Sequence, residues 1–229
     1  MPNIAFQIAT HSEVSIPSNA VARPPIDAAK LSSIIHKAVY QALDGPLGVA
    51  PADMIAALGS LAGYSARWLV MRQIANGQLK DDFIEPKGCN MPFVSVSKNV
   101  NTMITDLTQD SFAGILTKSM MAAGASWLPN VNADVNHNFV GINGPDFPDY
   151  TVDEHHWPQI PPQALLLMMW ETHARILAHT PGAEDVTTQA YALAITRAAA
   201  QFEQALPMDR AAQIALESAI AMAKIKYAF

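Results

Sequence analysis

Residues 51–75 constrain the fold most, because the two faces of this predicted helix differ in side-chain size. Pro51 suits a first helical turn and Asn76-Gly77 is a stop signal, so the spacing predicts one long helix. Glycine costs about 1 kcal/mol relative to alanine inside a helix. One face nevertheless carries only small residues, here called the small face: Ala52, Ala56, Gly59, Ser60, Gly63 and Ala66.

Two glycines on the small face indicate that something approaches the helix backbone closely there. A neighbouring helix is the favoured interpretation, and a ligand held against the bare backbone is the alternative. Arg67 lies at the end of the small face and would turn such a groove into an anion site. Arg67 is therefore a candidate ligand-binding residue.

The low charge content points to extensive burial of surface. Half of the 229 residues are apolar and 15% are charged, whereas about 25% is usual in soluble domains. A disordered chain is excluded by this composition. The helices predicted after residue 163 are so apolar that we expect part of their surface to lie in a homodimer interface.

Charge and cysteine content bear on partners and location. The net charge is −6 and the 14 Lys and Arg residues are scattered singly, which disfavours a nucleic-acid partner. Cys89 is the only cysteine, so we expect no internal disulfide and a cytoplasmic location. Asp53 and Arg67 interrupt the most apolar run before it reaches the about 20 residues of a membrane span, so we expect a soluble protein without a membrane partner.

Helix-start signals recur along most of the chain. They predict an all-α single domain, a bundle of six or seven helices over residues 27–229, after an extended arm over residues 1–26. Little or no β structure is expected, since Phe93, Val94 and Val96 form the one short strand pattern. The predicted helix starts are Asp27, Pro51, Asp110-Ser111, Pro161-Pro162, Asp185 and Asp209.

The final helix of the bundle is almost entirely apolar. Its sequence predicts burial on about three sides, with a single polar stripe on the fourth side. The stripe consists of Arg210, Gln213, Glu217 and Lys224.

Residues 125–162 differ from the rest because they are rich in proline, asparagine and aspartate. We expect one long ordered loop, since long loops inside compact domains are usually functional. The polar residues of this loop, together with Arg67, make up the candidate ligand-binding set. Its members in the loop are Asp134, His137, Glu154, His155 and His156.

The pair His155-His156 does not by itself predict a metal site. Adjacent side chains point apart in regular structure, and the short ligand spacings typical of zinc sites are missing. We therefore expect no metal and a loop held in place by Trp157 and Ile160. "NVNADVN" lacks the glycine and glutamate of a calcium loop, and "DDFIE" over residues 81–85 lacks a second acidic motif.

No sequence motif identifies an enzyme class. The chain has no G-x-S-x-G, P-loop, G-x-G-x-x-G, H-E-x-x-H or C-x-x-C pattern. We expect an interaction or small-ligand-binding helical protein that needs no cofactor and performs no covalent chemistry. The alternative is an enzyme, for example a metal-dependent hydrolase, with a site built from residues 130–157.

Overall fold

The structure, a computed structural model, describes residues 25–86, 94–106, 110–127, 129–141 and 150–227. It confirms the all-α class, since these residues form eight α-helices and one 3₁₀ turn without a sheet. The helices are α1 (Ala28–Leu43), α2 (Pro51–Ala75), α3 (Lys98–Thr105), α4 (Phe112–Ala123), α5 (Val131–Gly141), α6 (Pro162–His179), α7 (Ala183–Phe202) and α8 (Met208–Met222).

The helix count exceeds the predicted six or seven because residues 125–162 are not one loop. They contain α5 and the 3₁₀ turn Glu154–His156. Asn130 starts α5, where its side-chain oxygen accepts a hydrogen bond from the backbone N–H of Ala133 at 3.2 Å. The buried side chain of Val131 then packs into the core. Capping and burial thus outweigh the low helix propensity of this Asn-rich segment.

Two further expectations concern the non-helical segments. The extended arm lies almost wholly outside the described residues, as does Phe93 of the predicted strand. Val94 and Val96 form only isolated bridges, to Ile225 and Ile84 respectively. Within the described part of the chain the expectation of little or no β structure is therefore confirmed, and the strand pattern gives bridges rather than a strand.

Several helix starts match the sequence signals. Asp27 caps α1 by accepting a hydrogen bond from the backbone N–H of Lys30 at 2.7 Å. Ser111 caps α4 in the same way, and prolines open α2 and α6 as predicted. Pro at the first helical position is favoured because its φ suits the helix and the missing N–H has no intrahelical partner there.

Asp185 and Asp209 are not the N-caps that the sequence predicts. Gly182 and Pro207 occupy those positions, and both aspartates lie in the first turn of their helices. A negative charge there still stabilises the positive end of the helix dipole. The Asp209 carboxylate has a second role, because it accepts hydrogen bonds from Ser126 before α5.

The small face of α2 packs against α8 and confirms the predicted helix–helix contact. A Cβ atom added at Gly63 would lie 2.0 Å from the carbonyl oxygen of Ala219, and one at Gly59 would lie 2.4 Å from that of Ala215. Only glycine permits backbones to approach this closely. The two helices therefore form the centre of the bundle.

The length and composition of α2 also suffice for a membrane span. Of its most apolar 18-residue window, 89% is buried inside the bundle. Such burial is the pattern of the core helix of a globular fold, where neighbouring helices cover an all-apolar surface.

Candidate ligand-binding cleft

The polar stripe of the last helix is buried except at Arg210, contrary to the expectation that it forms an open fourth side. Gln213 is 4% exposed and Glu217 is fully buried. The stripe is covered because α5 and the residues after Tyr150 lie against it. Sequence periodicity identified the stripe but could not show what packs on it.

Four polar side chains form a hydrogen-bonded group, here called the acid cluster: Asp134, Thr151, Gln213 and Glu217. The amide nitrogen of Gln213 donates to Asp134 Oδ1 at 2.7 Å and to Glu217 Oε1 at 2.9 Å. The Thr151 hydroxyl donates to Glu217 Oε1 at 2.6 Å, and its backbone N–H lies 3.2 Å from both Glu217 oxygens. One amide therefore links two carboxyl groups.

Burial controls the protonation of the acid cluster. It raises the pKa of Glu217 to about 7, against the opposing effect of hydrogen bonds from Thr151 and Gln213, and the Asp134 carboxylate raises it further. Burial also raises the pKa of Asp134, while the hydrogen bond from Gln213 lowers it. The raised pKa favours the neutral form of Glu217, which keeps two full negative charges from facing each other.

Part of the acid cluster forms the floor of an open cleft of about 410 Å³. Asp134, Thr151 and Gln213 line it, while Glu217 lies behind them. The guanidinium of Arg210 lies 5.9 Å from the ring centroid of Trp127 on the wall. The complete lining is Trp127, Asn130, Ala133, Asp134, His137, Thr151, Arg210 and Gln213.

Two predicted site residues, Asp134 and His137, therefore line one cleft. Glu154, His155 and His156 form a 3₁₀ turn beside it. The turn adjoins the cleft through Arg210, which lines the cleft and donates to Asp153 Oδ2 at 3.4 Å. Five of the six predicted residues therefore lie in one region.

Arg67, the sixth predicted residue, lies elsewhere. Its buried guanidinium donates to the Ser95 hydroxyl at 2.8 Å and to the carbonyl oxygens of Ser95 and Ala223 at 3.2 and 3.4 Å. It also stacks on Phe83 at 4.4 Å from the ring centroid. Arg67 joins three chain segments through these contacts, while its buried Nε has no hydrogen-bond partner among the described residues.

The turn Glu154–His156 departs from the expected geometry of adjacent histidines. The ring centroids of His155 and His156 are 3.8 Å apart, so the side chains converge. The indole N–H of Trp157 donates to the Val152 carbonyl at 2.8 Å, a bond within the segment itself. Trp157 is 37% exposed, so it is not the buried anchor on the helices that the sequence predicts.

Asp53 of α2 holds the segment that follows the turn. Its carboxylate Oδ1 accepts hydrogen bonds from the backbone N–H groups of Gln159 at 2.7 Å and Ile160 at 3.0 Å. At the other end of the segment, the Tyr150 and Ser218 hydroxyls are 2.8 Å apart. Both ends of residues 150–160 are therefore fixed to the core helices.

Of the acid cluster, Thr151, Gln213 and Glu217 were missing from the candidate set. The sequence does carry a signal for Gln213 and Glu217, because a glutamine and a glutamate four residues apart are rare in an otherwise apolar helix. Thr151 carries no comparable signal, since its role depends on the path of the chain before it.

The other polar candidates have structural roles. Asp82 of "DDFIE" accepts hydrogen bonds from the Ser97 hydroxyl at 2.5 Å and from the Asn99 backbone at 3.0 Å, at the start of α3. His173 is a buried core residue whose Nδ1 lies 3.1 Å from the Met169 carbonyl oxygen, and burial lowers its pKa to about 4. Cys89 lies outside the described residues.

Comparison with family models, curated proteins and solved structures finds no match to this chain. The proposed function therefore rests on the geometry and chemistry of the cleft alone.

Proposed function

We propose that the chain binds a small polar molecule carrying an ammonium group in the cleft between α5, α8, Trp127 and Thr151. The observation that carries this proposal is the acid cluster, in which Asp134, Gln213 and Glu217 are buried in a largely apolar bundle while Asp134 also lines the cleft. Burying carboxyl groups costs free energy, and clefts with a few convergent polar groups and shifted pKa values are typical of ligand sites.

The chemistry of the cleft favours a cation on its floor. An ammonium group beside Asp134 would place a positive charge next to two neighbouring carboxyl groups and so stabilise their ionised form. The indole of Trp127 adds an aromatic face on the wall, which also attracts cations. Asn130 and Arg210 supply hydrogen-bond donors for an acceptor group at the other end of the ligand. The cleft volume of about 410 Å³ suits a small metabolite.

One observation favours the alternative, an enzyme at the same site. A pKa of about 7 at Glu217 is typical of a general acid or base. However, the Glu217 oxygens contact Thr151 and Gln213, and the side chain does not line the cleft. We therefore favour binding without covalent chemistry, in which the ligand is recovered unchanged after incubation.

Thermal unfolding with small amines tests the proposal. We expect at least one member of a series of C2–C6 primary amines and diamines, including putrescine, to raise the melting temperature. At 100 times Kd a ligand stabilises the folded chain by about 2.7 kcal/mol, which corresponds to a shift of roughly 5–10 °C in a chain of this size. The matched diol, 1,4-butanediol for putrescine, should have no effect.

Asp134→Asn gives the test its specificity. Asparagine keeps the oxygen that accepts from Gln213 but removes the negative charge, so the amine-induced shift should disappear while the variant remains folded. Asp44→Asn, an exposed change after α1, should respond like the parent chain. An equal shift with amine and diol, a retained shift in Asp134→Asn, or no shift with any amine would reject the proposal.

We also propose that the chain forms a homodimer through α6. Leu167 and Met168 are neighbours on this helix and are 52% and 59% exposed. Exposed apolar neighbours are typical of subunit interfaces. Light scattering should return the mass of two chains, and Met168→Glu should return one. Met121→Glu on α4, a similarly exposed position, should stay dimeric, and a parent chain of single mass contradicts the proposal.

A further inference from the structure

We infer that Asp153, His155 and His156 form a binding site for a divalent transition-metal ion beside the cleft. Each residue offers one ligand atom, and the three atoms all lie within 4.8 Å of one another. The inference is independent of the proposed amine ligand, because none of the three residues lines the cleft.

Backbone hydrogen bonds order the turn that carries the three side chains. The N–H of His156 donates to the Asp153 carbonyl at 2.8 Å, and the N–H of Trp157 donates to the Glu154 carbonyl at 3.0 Å. The indole of Trp157 donates back to Val152, so the turn is bonded on both sides of the histidines. A metal therefore meets ligands whose backbone is already ordered, which lowers the entropy cost of binding.

The ligand atoms lie near the separation that a metal requires. Metal bonds of about 2.0–2.2 Å in tetrahedral geometry place ligand atoms roughly 3.4 Å apart. The separation is at most 4.8 Å, and the exposed side chains of Asp153 and His155 have solvent space in which to rotate toward a shared ion. Nδ1 of His156 is enclosed and has no hydrogen-bond partner among the described residues, so no existing bond to this atom opposes a metal.

Donor type favours a particular class of ion. Two imidazoles and one carboxylate suit Zn²⁺, Ni²⁺ or Cu²⁺ rather than Mg²⁺ or Ca²⁺, which prefer oxygen ligands. Three protein ligands leave a coordination position for water.

Arg210 competes with a metal ion for the Asp153 carboxylate. Its guanidinium lies 3.4 Å from Asp153 Oδ2, so its positive charge opposes a cation at the same carboxylate. Removal of that charge should strengthen metal binding. A merely structural role for Arg210 predicts the opposite, because loss of the ion pair would loosen Asp153.

Competition of the full, tag-free chain with a chromophoric chelator for Zn²⁺ tests the inference. We expect one bound equivalent, with affinity weakened at least about tenfold in Asp153→Asn, His155→Ala and His156→Ala. Arg210→Gln should bind Zn²⁺ more tightly than the parent chain. His179→Ala, an exposed histidine at the end of α6, is the matched control and should bind as the parent does.

Circular dichroism separates loss of the site from loss of the fold, and the altered side chains are exposed or half-buried, so folded variants are expected. Unchanged Zn²⁺ affinity in the three ligand variants, weaker binding in Arg210→Gln, or no stoichiometric binding would overturn the inference. Asp134→Asn should keep full Zn²⁺ binding, which distinguishes failure of this site from failure of the amine site.

Discussion

Gly63→Ala should lower the free energy of unfolding by about 3 kcal/mol or more, even though alanine is the better helix former by about 1 kcal/mol. The added Cβ would lie 2.0 Å from the Ala219 carbonyl oxygen and 2.7 Å from its carbonyl carbon. Both are backbone atoms, so no side-chain rotation relieves the contact and α2 must move away from α8. Chemical denaturation at equilibrium measures the loss.

Two further variants sharpen this result. Ala219→Gly should not rescue Gly63→Ala, because the clash is with backbone rather than with the Ala219 side chain. Gly45→Ala is the matched control, since nothing lies within 4 Å of an added Cβ there, and its effect should stay within about 0.5 kcal/mol. A Gly63→Ala variant as stable as the parent chain would show that α2 and α8 are not in close contact.

Glu217→Gln should stabilise the chain at pH 8 by on the order of 3 kcal/mol. The pKa of Glu217 is about 7 in the folded chain and 4.5 for the ordinary group. Each pKa unit corresponds to about 1.4 kcal/mol, so ionised Glu217 is costly in the folded state. Glutamine mimics the neutral side chain and keeps an oxygen that accepts from Thr151 and Gln213.

The effect of Glu217→Gln on the free energy of unfolding should depend on pH. A pKa raised on folding means that the folded chain binds the proton more tightly, so the stability from this group is full below about pH 4.5 and declines as the pH rises through 7. The difference in unfolding free energy between Glu217→Gln and the parent chain should therefore grow over that interval. A difference that stays constant over that interval would contradict the prediction.

The sequence predicted those features whose causes are local. Helix α1 starts at Asp27, whose side chain accepts a hydrogen bond from the backbone N–H of Lys30 three residues later. Helix α2 ends where Asn76-Gly77 follows it. The small face also predicted a close helix contact, because Gly59 and Gly63 lower helix stability unless another backbone packs against them. Such signals lie within a few residues of their effect.

Features that depend on distant parts of the chain could not be predicted. Helix α5 was expected to be loop, because its helical state depends on packing against α8 about 80 residues later. Periodicity found Gln213 and Glu217, but their meeting with Asp134 and Thr151 depends on the tertiary path. Likewise, adjacent histidines were expected to diverge, and only the 3₁₀ turn brings them together.

The burial of α8 has a consequence for how the cleft can open. Every residue from Ala211 to Ile225 is buried, so the amide groups of this helix reach solvent only when the whole bundle unfolds. Residues 153–157 are instead exposed or half-buried and contact the rest of the chain through a few bonds, such as that of Arg210 to Asp153. Helix α8 and the turn beside the cleft thus belong to different cooperative units. Local opening of the turn would release the cleft-lining Arg210 from Asp153 while the α2–α8 pair stays closed.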